Sequence, residues 1–247
     1  TATNQVTGKI GKALDMNEDS TNERVCLEDT GNLNCNGNGP IFDTAVDERT
    51  SSLWYKADDV SGTDDASRQV LFEEGGNVNG QNIYLFDDKI FACTWKSNVE
   101  ECVSYPTTAN EWHHVALVWA SGTTSYLYHD GEEVATFEGK TDLSTTNASA
   151  LGNIAQKTRM TDDRTVAEQE ADPGANEFTS FDTNSEDDYS FDGIIDEFRV
   201  TNTARSADYI ATDYNNQNTG TWQASLNVNP NHFTYEGVLL SESISFT

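Results

Sequence analysis

Between residues 51 and 137, short segments of alternating apolar and polar positions are separated by turn-forming residues. Residues 70–72, 83–86 and 89–95 have the length and composition of β-strands. No helical periodicity extends beyond about eight residues. The pattern therefore predicts an all-β fold, a sandwich of two antiparallel sheets.

Two residue pairs that begin with aspartate mark turns between the predicted strands. Asp87-Asp88 predicts a tight turn, and Asp130-Gly131 predicts a type I′ hairpin turn. The second prediction rests on the positive φ angles that a type I′ turn needs and that Asp-Gly supplies.

Residues 191–210 form the most informative stretch. Two β-branched residues follow Gly193, and an acidic pair precedes an alternation of apolar and charged residues up to Val200, which predicts a strand. Ser206 then predicts the N-cap of a short helix.

Three regions are less regular. Residues 150–154 predict a strand, whereas residues 156–190 are dense in polar residues and predict a functional or mobile connection. Residues 218–247 contain two or three further strand-like segments. These segments could complete the edge of the sandwich, begin a following domain, or pair with a neighbouring molecule.

The chain is strongly acidic, with 42 Asp and Glu residues against 14 Lys and Arg residues and a formal net charge of −28. Such a surface repels nucleic acid and anionic membranes, and no run of about 18 apolar residues predicts a membrane span. The charge is compatible with solubility in seawater or brine, with binding of divalent cations, or with mimicry of an acidic substrate. The start at Thr1 without a signal peptide is typical of a mature protein or an excised fragment.

The four cysteines form two similarly spaced pairs, Cys26 with Cys35 and Cys93 with Cys102. Four cysteines allow three disulfide connectivities, and the local one closes two turn-rich loops without a long-range constraint. A zinc site would prefer closer cysteine spacing and nearby histidines. Two disulfides indicate an oxidising compartment and therefore a secreted or surface-exposed protein.

Five segments, in the same order, resemble the laminin-G-like, concanavalin-A-like jelly-roll domains of bacterial and archaeal surface proteins. They include a Trp-His-His-Val-Ala strand and a Leu-Tyr-x-Asp-Gly hairpin, and they cover residues 8–16, 51–57, 111–119, 126–135 and 191–210. The resemblance implies a jelly-roll domain over residues 1–217, with one short C-terminal helix. Members of the family usually carry one further strand before the segment that residues 8–16 resemble.

The same resemblance implies a Ca²⁺ ion near residues 193–197, with Asp196 as the first ligand. The alternative for Asp196 is that it accepts backbone N–H groups or pairs with Arg199 or Arg205. A second candidate has oxygen ligands at alternate positions, Asp182, Asn184 and Glu186, like the start of an EF-hand loop; the alternative there is a solvated acidic loop. Asp15 and Asp19 are weaker candidates.

Two consecutive histidines are weak evidence for a metal site. His113 and His114 point to opposite faces of a strand and cannot bind one ion together. His129 and His232 have no partner that their spacing predicts.

Aromatic side chains are the candidates for ligand contact. Trp54, Trp112 and Trp119 lie in apolar segments and are predicted to be core residues. Trp95, within the second disulfide loop, is predicted to be exposed and to bind ligand together with the nearby Tyr105. The alternative for Trp95 is core or loop packing. Asn147 begins an N-glycosylation sequon.

No catalytic motif is evident in the sequence. Asp196 and Glu197 are adjacent and predicted to point to opposite faces, and the chain lacks the Glu-x-Asp-x-x-Glu string of the family's glycosidases. We therefore expect an extracellular calcium-binding adhesion module that binds a carbohydrate or a cell-surface protein without catalysis. The alternatives are a structural subunit of a filament or surface layer, assembled with neighbouring copies by strand exchange, and a polysaccharide-active enzyme.

Overall fold

The computed structural model describes residues 5–16, 24–27, 35, 42, 45–63, 65–76, 78–96, 99–139, 148–155, 157–161, 179–182 and 189–218. Within these residues the chain is built from strands, one short 3₁₀ turn (Asp65–Ser67) and one α-helix, α1 (Ala207–Asn218). The strands are β1 (Gln5–Thr7), β2 (Lys12–Asp15), β3 (Val25–Cys26), β4 (Glu48–Ala57), β5 (Gln69–Gly75), β6 (Asn79–Phe86), β7 (Lys89–Lys96), β8 (Val99–Pro106), β9 (His113–Ala120), β10 (Thr124–His129), β11 (Glu132–Glu138), β12 (Ser149–Leu151), β13 (Lys157–Met160), β14 (Thr179–Asp182) and β15 (Gly193–Thr201).

Two antiparallel sheets form the sandwich. The seven-stranded sheet has the order β1-β2-β15-β4-β9-β10-β11, and the six-stranded sheet has the order β3-β12-β5-β6-β7-β8. The predicted all-β jelly-roll sandwich is therefore confirmed. The informative stretch at 191–210 supplies β15, which lies between β2 and β4 inside the larger sheet.

The core lies between the two sheets because alternate residues of each strand face inward. Leu53 and Tyr55 of β4 and Val115 and Leu117 of β9 meet Ile83 and other apolar residues of the six-stranded sheet, and all five are fully buried. Burial of this apolar surface is the main contribution to the stability of the sandwich.

The outer face of the six-stranded sheet is also covered. A second apolar cluster joins Tyr84 and Phe91 on this face to Ile154, Met160 and Tyr189 from the segment after β12. In that segment, β13 and β14 form a separate two-stranded sheet, and β13 contacts β5, β6 and β7. The sequence analysis did not predict these two strands within the polar connection of residues 156–190.

Helix α1 covers the outer face of the seven-stranded sheet. Ile210 packs with Ala116, Val118 and Tyr128, and Ser206 Oγ accepts the Tyr209 backbone N–H at 3.3 Å, as predicted for the N-cap. The helix is longer than the sequence pattern suggested. Its polar composition gives the helix little apolar periodicity in the sequence. Packing against the sheet supplies most of its stability.

A β-bulge interrupts β15. The register with β4 shifts between Asp196 and Arg199, and Glu197 has a φ of 50°. The extra residue brings Phe198 into contact with the core, where its ring lies 5.1 Å from that of Phe72.

The predicted turns are confirmed. Asp87 and Asp88 have φ angles of 51° and 56°, and Asp130 and Gly131 have φ angles of 51° and 82°. Two positive φ angles in succession are what a type I′ turn requires.

Both disulfides have the local connectivity, Cys26–Cys35 and Cys93–Cys102. Cys93 and Cys102 are directly opposite each other on β7 and β8. The predicted strands at 219–247 lie outside the described residues.

Candidate binding rim

Three potential metal-binding side chains converge where β9 and β10 reach one end of the sandwich. His113 begins β9, His129 ends β10, and Asp130 follows in the turn to β11. One ligand atom from each of the three lies within 4.8 Å of the others.

The β9–β10 hairpin explains why these residues meet. The hairpin is centred on Gly122, so that His129 pairs with Val115. Because alternate residues of a strand share a face, His113 lies on the same side as Val115, diagonally across from His129. The ring centroids of the two histidines are 4.8 Å apart.

One carboxylate connects the two rings. Asp130 Oδ2 lies 2.8 Å from His113 Nδ1 and 3.6 Å from His129 Nδ1. Asp130 Oδ1 accepts the backbone N–H of His114 at 2.8 Å. The carboxylate is therefore fixed by the neighbouring strand, with its second oxygen directed at the imidazoles.

The other nitrogen of each imidazole is held by a hydroxyl group. His113 Nε2 lies 2.9 Å from Thr108 Oγ1, and His129 Nε2 lies 3.0 Å from the Tyr55 hydroxyl. The Tyr55 hydroxyl is itself 2.7 Å from Thr107 Oγ1. These contacts fix the orientation of both rings.

Burial controls the charge of the group. It lowers the pKa of His129 to about 4, an effect that outweighs the nearby carboxylate of Asp130. Burial alone would raise the pKa of Asp130, but hydrogen bonds from His113 and from the His114 N–H lower it. At neutral pH the group therefore contains a neutral His129 beside an ionised carboxylate.

The group opens to solvent beside an aromatic ring. The Asp130 side chain is 33% exposed, against 12% for His113, and Tyr105 at the end of β8 is 38% exposed. The Tyr105 ring lies 5.5 Å from that of His129. We refer to Tyr105, Thr108, His113, His129 and Asp130 together as the binding rim.

One prediction for the histidines agrees with the structure, and one contact was not predicted. His113 and His114 do face opposite sides of the sheet, and His114 packs against Trp54 on the outer face, with ring centroids 5.3 Å apart. Burial lowers the pKa of His114 to about 4. His129, for which spacing predicted no partner, lies beside His113 and Asp130. The sequence signal for this contact is the turn at Gly122, which fixes the register of the β9–β10 hairpin.

Asp196 has backbone partners on both carboxylate oxygens. Oδ2 accepts the Ile10 N–H at 2.8 Å, and Oδ1 accepts the Glu197 N–H at 2.8 Å. Its contacts are therefore those of the non-metal alternative, and it joins the β1–β2 turn to the bulge of β15. Burial raises the pKa of Asp196 in spite of these bonds. Arg199 pairs with Glu197 and Asp213 instead.

The other predicted calcium ligands are not brought together within the described residues. Asp182 is the last residue of β14, and Asn184 and Glu186 lie outside the described residues, as do Asp19 and the sequon residue Asn147.

Trp95 does not have the predicted exposure. It is 1% exposed, and its Nε1–H donates to the Gly76 carbonyl at 2.9 Å. Its ring occupies the space above Gly80, where a Cβ atom would lie 2.2 Å from it. Trp54 and Trp119 are buried as predicted, but Trp112 is only half-buried.

A separate acidic group lies where three neighbouring strands end. Asp15 ends β2, Asp58 and Asp59 follow β4, and Asp192 precedes β15. Burial raises the pKa of Asp192, and the negative charges of the other three aspartates raise it further. Carboxylates that repel one another in this way favour a bound cation.

Polar contacts, as well as apolar ones, join the outer face of the six-stranded sheet to the segment that covers it. Asn82 Nδ2 donates to Thr158 Oγ1 at 2.6 Å and to the Arg159 carbonyl at 2.7 Å. The Tyr84 hydroxyl donates to the Thr161 carbonyl at 2.6 Å. The chain's own segment thus occupies this face above β5, β6 and β7.

No helix among the described residues is long and apolar enough to cross a membrane.

Within the described part of the chain, the two-sheet sandwich with one helix on an outer face defines a jelly-roll domain. The sequence pattern of the Laminin_G_3 family, described as the concanavalin A-like lectin/glucanases superfamily, matches residues 22–164, which is more than half of the chain. The chain belongs to this family. Because the superfamily includes both lectins and glucanases, membership alone does not decide between binding and catalysis.

Solved structures share the fold at low sequence identity. The binding domain of botulinum neurotoxin serotype G has a TM-score of 0.50 and 9% identity over 81% of this chain and 46% of that chain. A heptameric SAP-like pentraxin from Limulus polyphemus has a TM-score of 0.48 and 15% identity over 69% of this chain and 71% of that chain. The binding domain of botulinum neurotoxin DC in complex with SialylT has a TM-score of 0.48 and 12% identity over 70% of this chain and 36% of that chain. The chain thus spans less than half of each toxin chain. No curated protein matches the sequence.

Proposed function

We propose that the chain is an extracellular, non-catalytic module that recognises a glycan or a cell-surface protein through the binding rim. The observation that carries the proposal is the covered outer face of the six-stranded sheet. The broad face of a sheet could hold an extended polysaccharide, but here residues 153–155 and 157–161 and Tyr189 fill it. Recognition is therefore directed to the rim.

The chemistry of the rim supports recognition of a polar ligand with an apolar face, such as a sugar ring. Tyr105 offers a half-exposed aromatic surface 5.5 Å from the His129 ring. The Asp130 carboxylate and the Thr108 hydroxyl, which contact His113, offer hydrogen-bond groups in the same rim. A small number of well-placed polar groups next to an aromatic ring is the usual composition of a ligand site.

The test is a glycan array probed with the unmodified protein, Tyr105→Ala and Tyr209→Ala. Tyr209 is the matched control, because it is 42% exposed against 38% for Tyr105 and lies on α1. We expect Tyr105→Ala to lose at least tenfold in affinity for any bound glycan, and Tyr209→Ala to keep it. Equal binding by both variants would place recognition elsewhere. Absence of glycan binding by the unmodified protein would leave a protein ligand as the remaining form of the proposal.

An extracellular location is supported by the two disulfides, which persist in oxidising compartments. Labelling of thiols in protein taken directly from the source would test it. Four blocked cysteines are expected, and four freely labelled cysteines would contradict it.

Ca²⁺ is part of the proposal. The acidic group of Asp15, Asp58, Asp59 and Asp192 supports a cation at the start of β15. Hard cations take carboxylate and carbonyl oxygens as ligands. Asp196, and the sequence 182–186 with Asp182, Asn184 and Glu186, remain further proposed ligands.

A thermal melt tests the calcium proposal. We expect Ca²⁺ to raise the melting temperature of EDTA-treated protein by several degrees at constant ionic strength, and Asp192→Asn to remove most of the gain. Asp88→Asn is the matched control, because it removes one carboxylate from a turn. An equal rise with NaCl alone would assign the acidity to solvent adaptation instead.

Assembly by strand exchange with neighbouring copies has less support. One of the two outer strands of the seven-stranded sheet, β11, carries exposed Glu132, Glu133 and Glu138. Charged side chains on an edge strand oppose pairing with another chain. Light scattering of the chain with and without residues 219–247 tests this alternative, and a monomer in both cases would exclude it.

A further inference from the structure

We propose that His113, His129 and Asp130 form a binding site for a divalent transition-metal ion, with Zn²⁺ as the best fit. The site is distinct from the proposed calcium site, and it does not depend on which ligand the rim recognises.

The first support is convergence of ligand atoms. The Nδ1 atoms of both imidazoles face the same carboxylate oxygen, Asp130 Oδ2, at 2.8 and 3.6 Å. Two ligands of a tetrahedral zinc ion with bonds of about 2.0–2.1 Å lie roughly 3.4 Å apart. The His129 distance already fits this value, and the His113 distance of 2.8 Å must lengthen by about 0.6 Å. The Asp130 side chain is 33% exposed and has room to adjust.

The second support is the set of hydroxyl groups behind the ligands. Thr108 Oγ1 and the Tyr55 hydroxyl contact the Nε2 atoms of His113 and His129. A hydroxyl can donate or accept, so each ring remains paired when its proton moves from Nδ1 to Nε2 and Nδ1 becomes a metal ligand. Metal-binding histidines usually have such a partner on the second nitrogen.

The donor set decides the class of ion. Two imidazole nitrogens and one carboxylate oxygen suit zinc and neighbouring transition metals, whereas Ca²⁺ takes six to eight oxygen ligands. Three protein ligands leave a fourth position on the exposed side, next to Tyr105. A metal ion there could take a water molecule or a donor atom from the ligand of the rim.

Isothermal titration of EDTA-treated protein without a histidine tag tests the site. Zn²⁺ is titrated first, and Co²⁺ is then used because its visible absorption reports nitrogen and oxygen ligands in a tetrahedral site. We expect one Zn²⁺ per chain, with Co²⁺ absorption bands that Zn²⁺ abolishes. Ca²⁺ should neither compete nor produce these effects.

Variants separate this site from adventitious binding by exposed carboxylates. His129→Phe keeps an aromatic ring but removes a ligand and should weaken Zn²⁺ binding at least tenfold. His232→Phe is the matched loss of one histidine and should leave the affinity unchanged. Asp130→Asn is the second variant, in case His129→Phe fails to fold. Absence of one-to-one binding by the unmodified protein, or equal affinity of His129→Phe, would overturn the proposal and leave the group as a hydrogen-bonded network.

Discussion

Arg49 on β4 and Glu74 on β5 form an ion pair that joins the two sheets, and each side chain is only 1% exposed. The pair is not isolated. Gln81 Nε2 donates to the second oxygen of Glu74 at 2.8 Å, and Arg49 Nη2 donates to Asn202 Oδ1 at 3.0 Å. Because the partners come from different sheets, the pair constrains how the sheets stack.

Removal of one charge from this pair should be costly. We expect Arg49→Met to lower the free energy of unfolding by about 3–5 kcal/mol, since it leaves Glu74 charged and buried. The double variant Arg49→Met/Glu74→Gln leaves no buried charge and keeps an acceptor for Gln81. It should be more stable than Arg49→Met alone in urea unfolding at pH 7. The single variant Glu74→Gln completes the cycle. A loss in the double variant equal to the sum of the two single losses would show that the pair is not coupled.

Glu73 predicts an unusual pH dependence of stability. It is fully buried on the covered face of the six-stranded sheet, and burial raises its pKa well above the ordinary value. A raised pKa in the folded state means that stability is fully present below the unfolded-state pKa and is lost as the pH rises through the folded-state pKa. Each unit of this elevation corresponds to about 1.4 kcal/mol at high pH.

Glu73→Gln should remove this pH dependence. Glu73 Oε1 and the Oδ1 of Asn82, directly opposite on β6, have no hydrogen-bond partner among the described residues. A glutamine amide supplies a donor to this face at every pH, while its oxygen can still accept the Ala155 N–H. Urea unfolding should show a larger gain in stability at pH 8 than at pH 5. Glu111→Gln, at an exposed position, is the control and should change little at either pH.

The sequence was sufficient for the fold because the fold depends on local patterns. Alternation over β5, β6 and β7, and the turns at Asp87-Asp88 and Asp130-Gly131, were predictable since strands and I′ turns have direct residue preferences. The bulge of β15 was not predictable. It depends on Asp196 accepting the N–H groups of Ile10 and Glu197, the first of them a contact with a distant turn.

The candidate site was less predictable because it depends on register. His113 and His129 are sixteen residues apart, and only the centring of the hairpin on Gly122 brings them together. The burial of Trp95 has a similar origin. The alternation of β7 does not reveal that the facing residue on β6 is Gly80, which leaves space for the indole ring.

Helix α1 contacts the sheet through Trp54 as well as through Ile210. The Trp54 ring stacks on Tyr214 with centroids 5.4 Å apart, and its Nε1–H donates to Gln217 Oε1 at 2.5 Å. We expect Tyr214→Ala to lower the free energy of unfolding by about 1–3 kcal/mol, because this ring is half-buried. The near-ultraviolet circular dichroism should also change as the stacked pair is lost. Tyr209→Ala, on the same helix but 42% exposed, should cost less than 1 kcal/mol. Equal losses would indicate a helix held by its general propensity.

The Cys93–Cys102 disulfide should stabilise the six-stranded sheet at its outer pair of strands, β7 and β8. It closes a loop with a sequence separation of 9, for which chain entropy predicts about 2–3 kcal/mol. The double variant Cys93→Ala/Cys102→Val should lose about this amount, and a reducing agent should no longer destabilise it at this site. The Cys26–Cys35 disulfide has the same separation, so Cys26→Ala/Cys35→Ala tests whether loop closure alone sets the effect.

Hydrogen exchange would distinguish the two variants. If the entropic account holds, the β7 and β8 amides should exchange faster only in proportion to the global loss of stability. A faster exchange confined to β8 would instead mean that the bond prevents local opening of the edge strand.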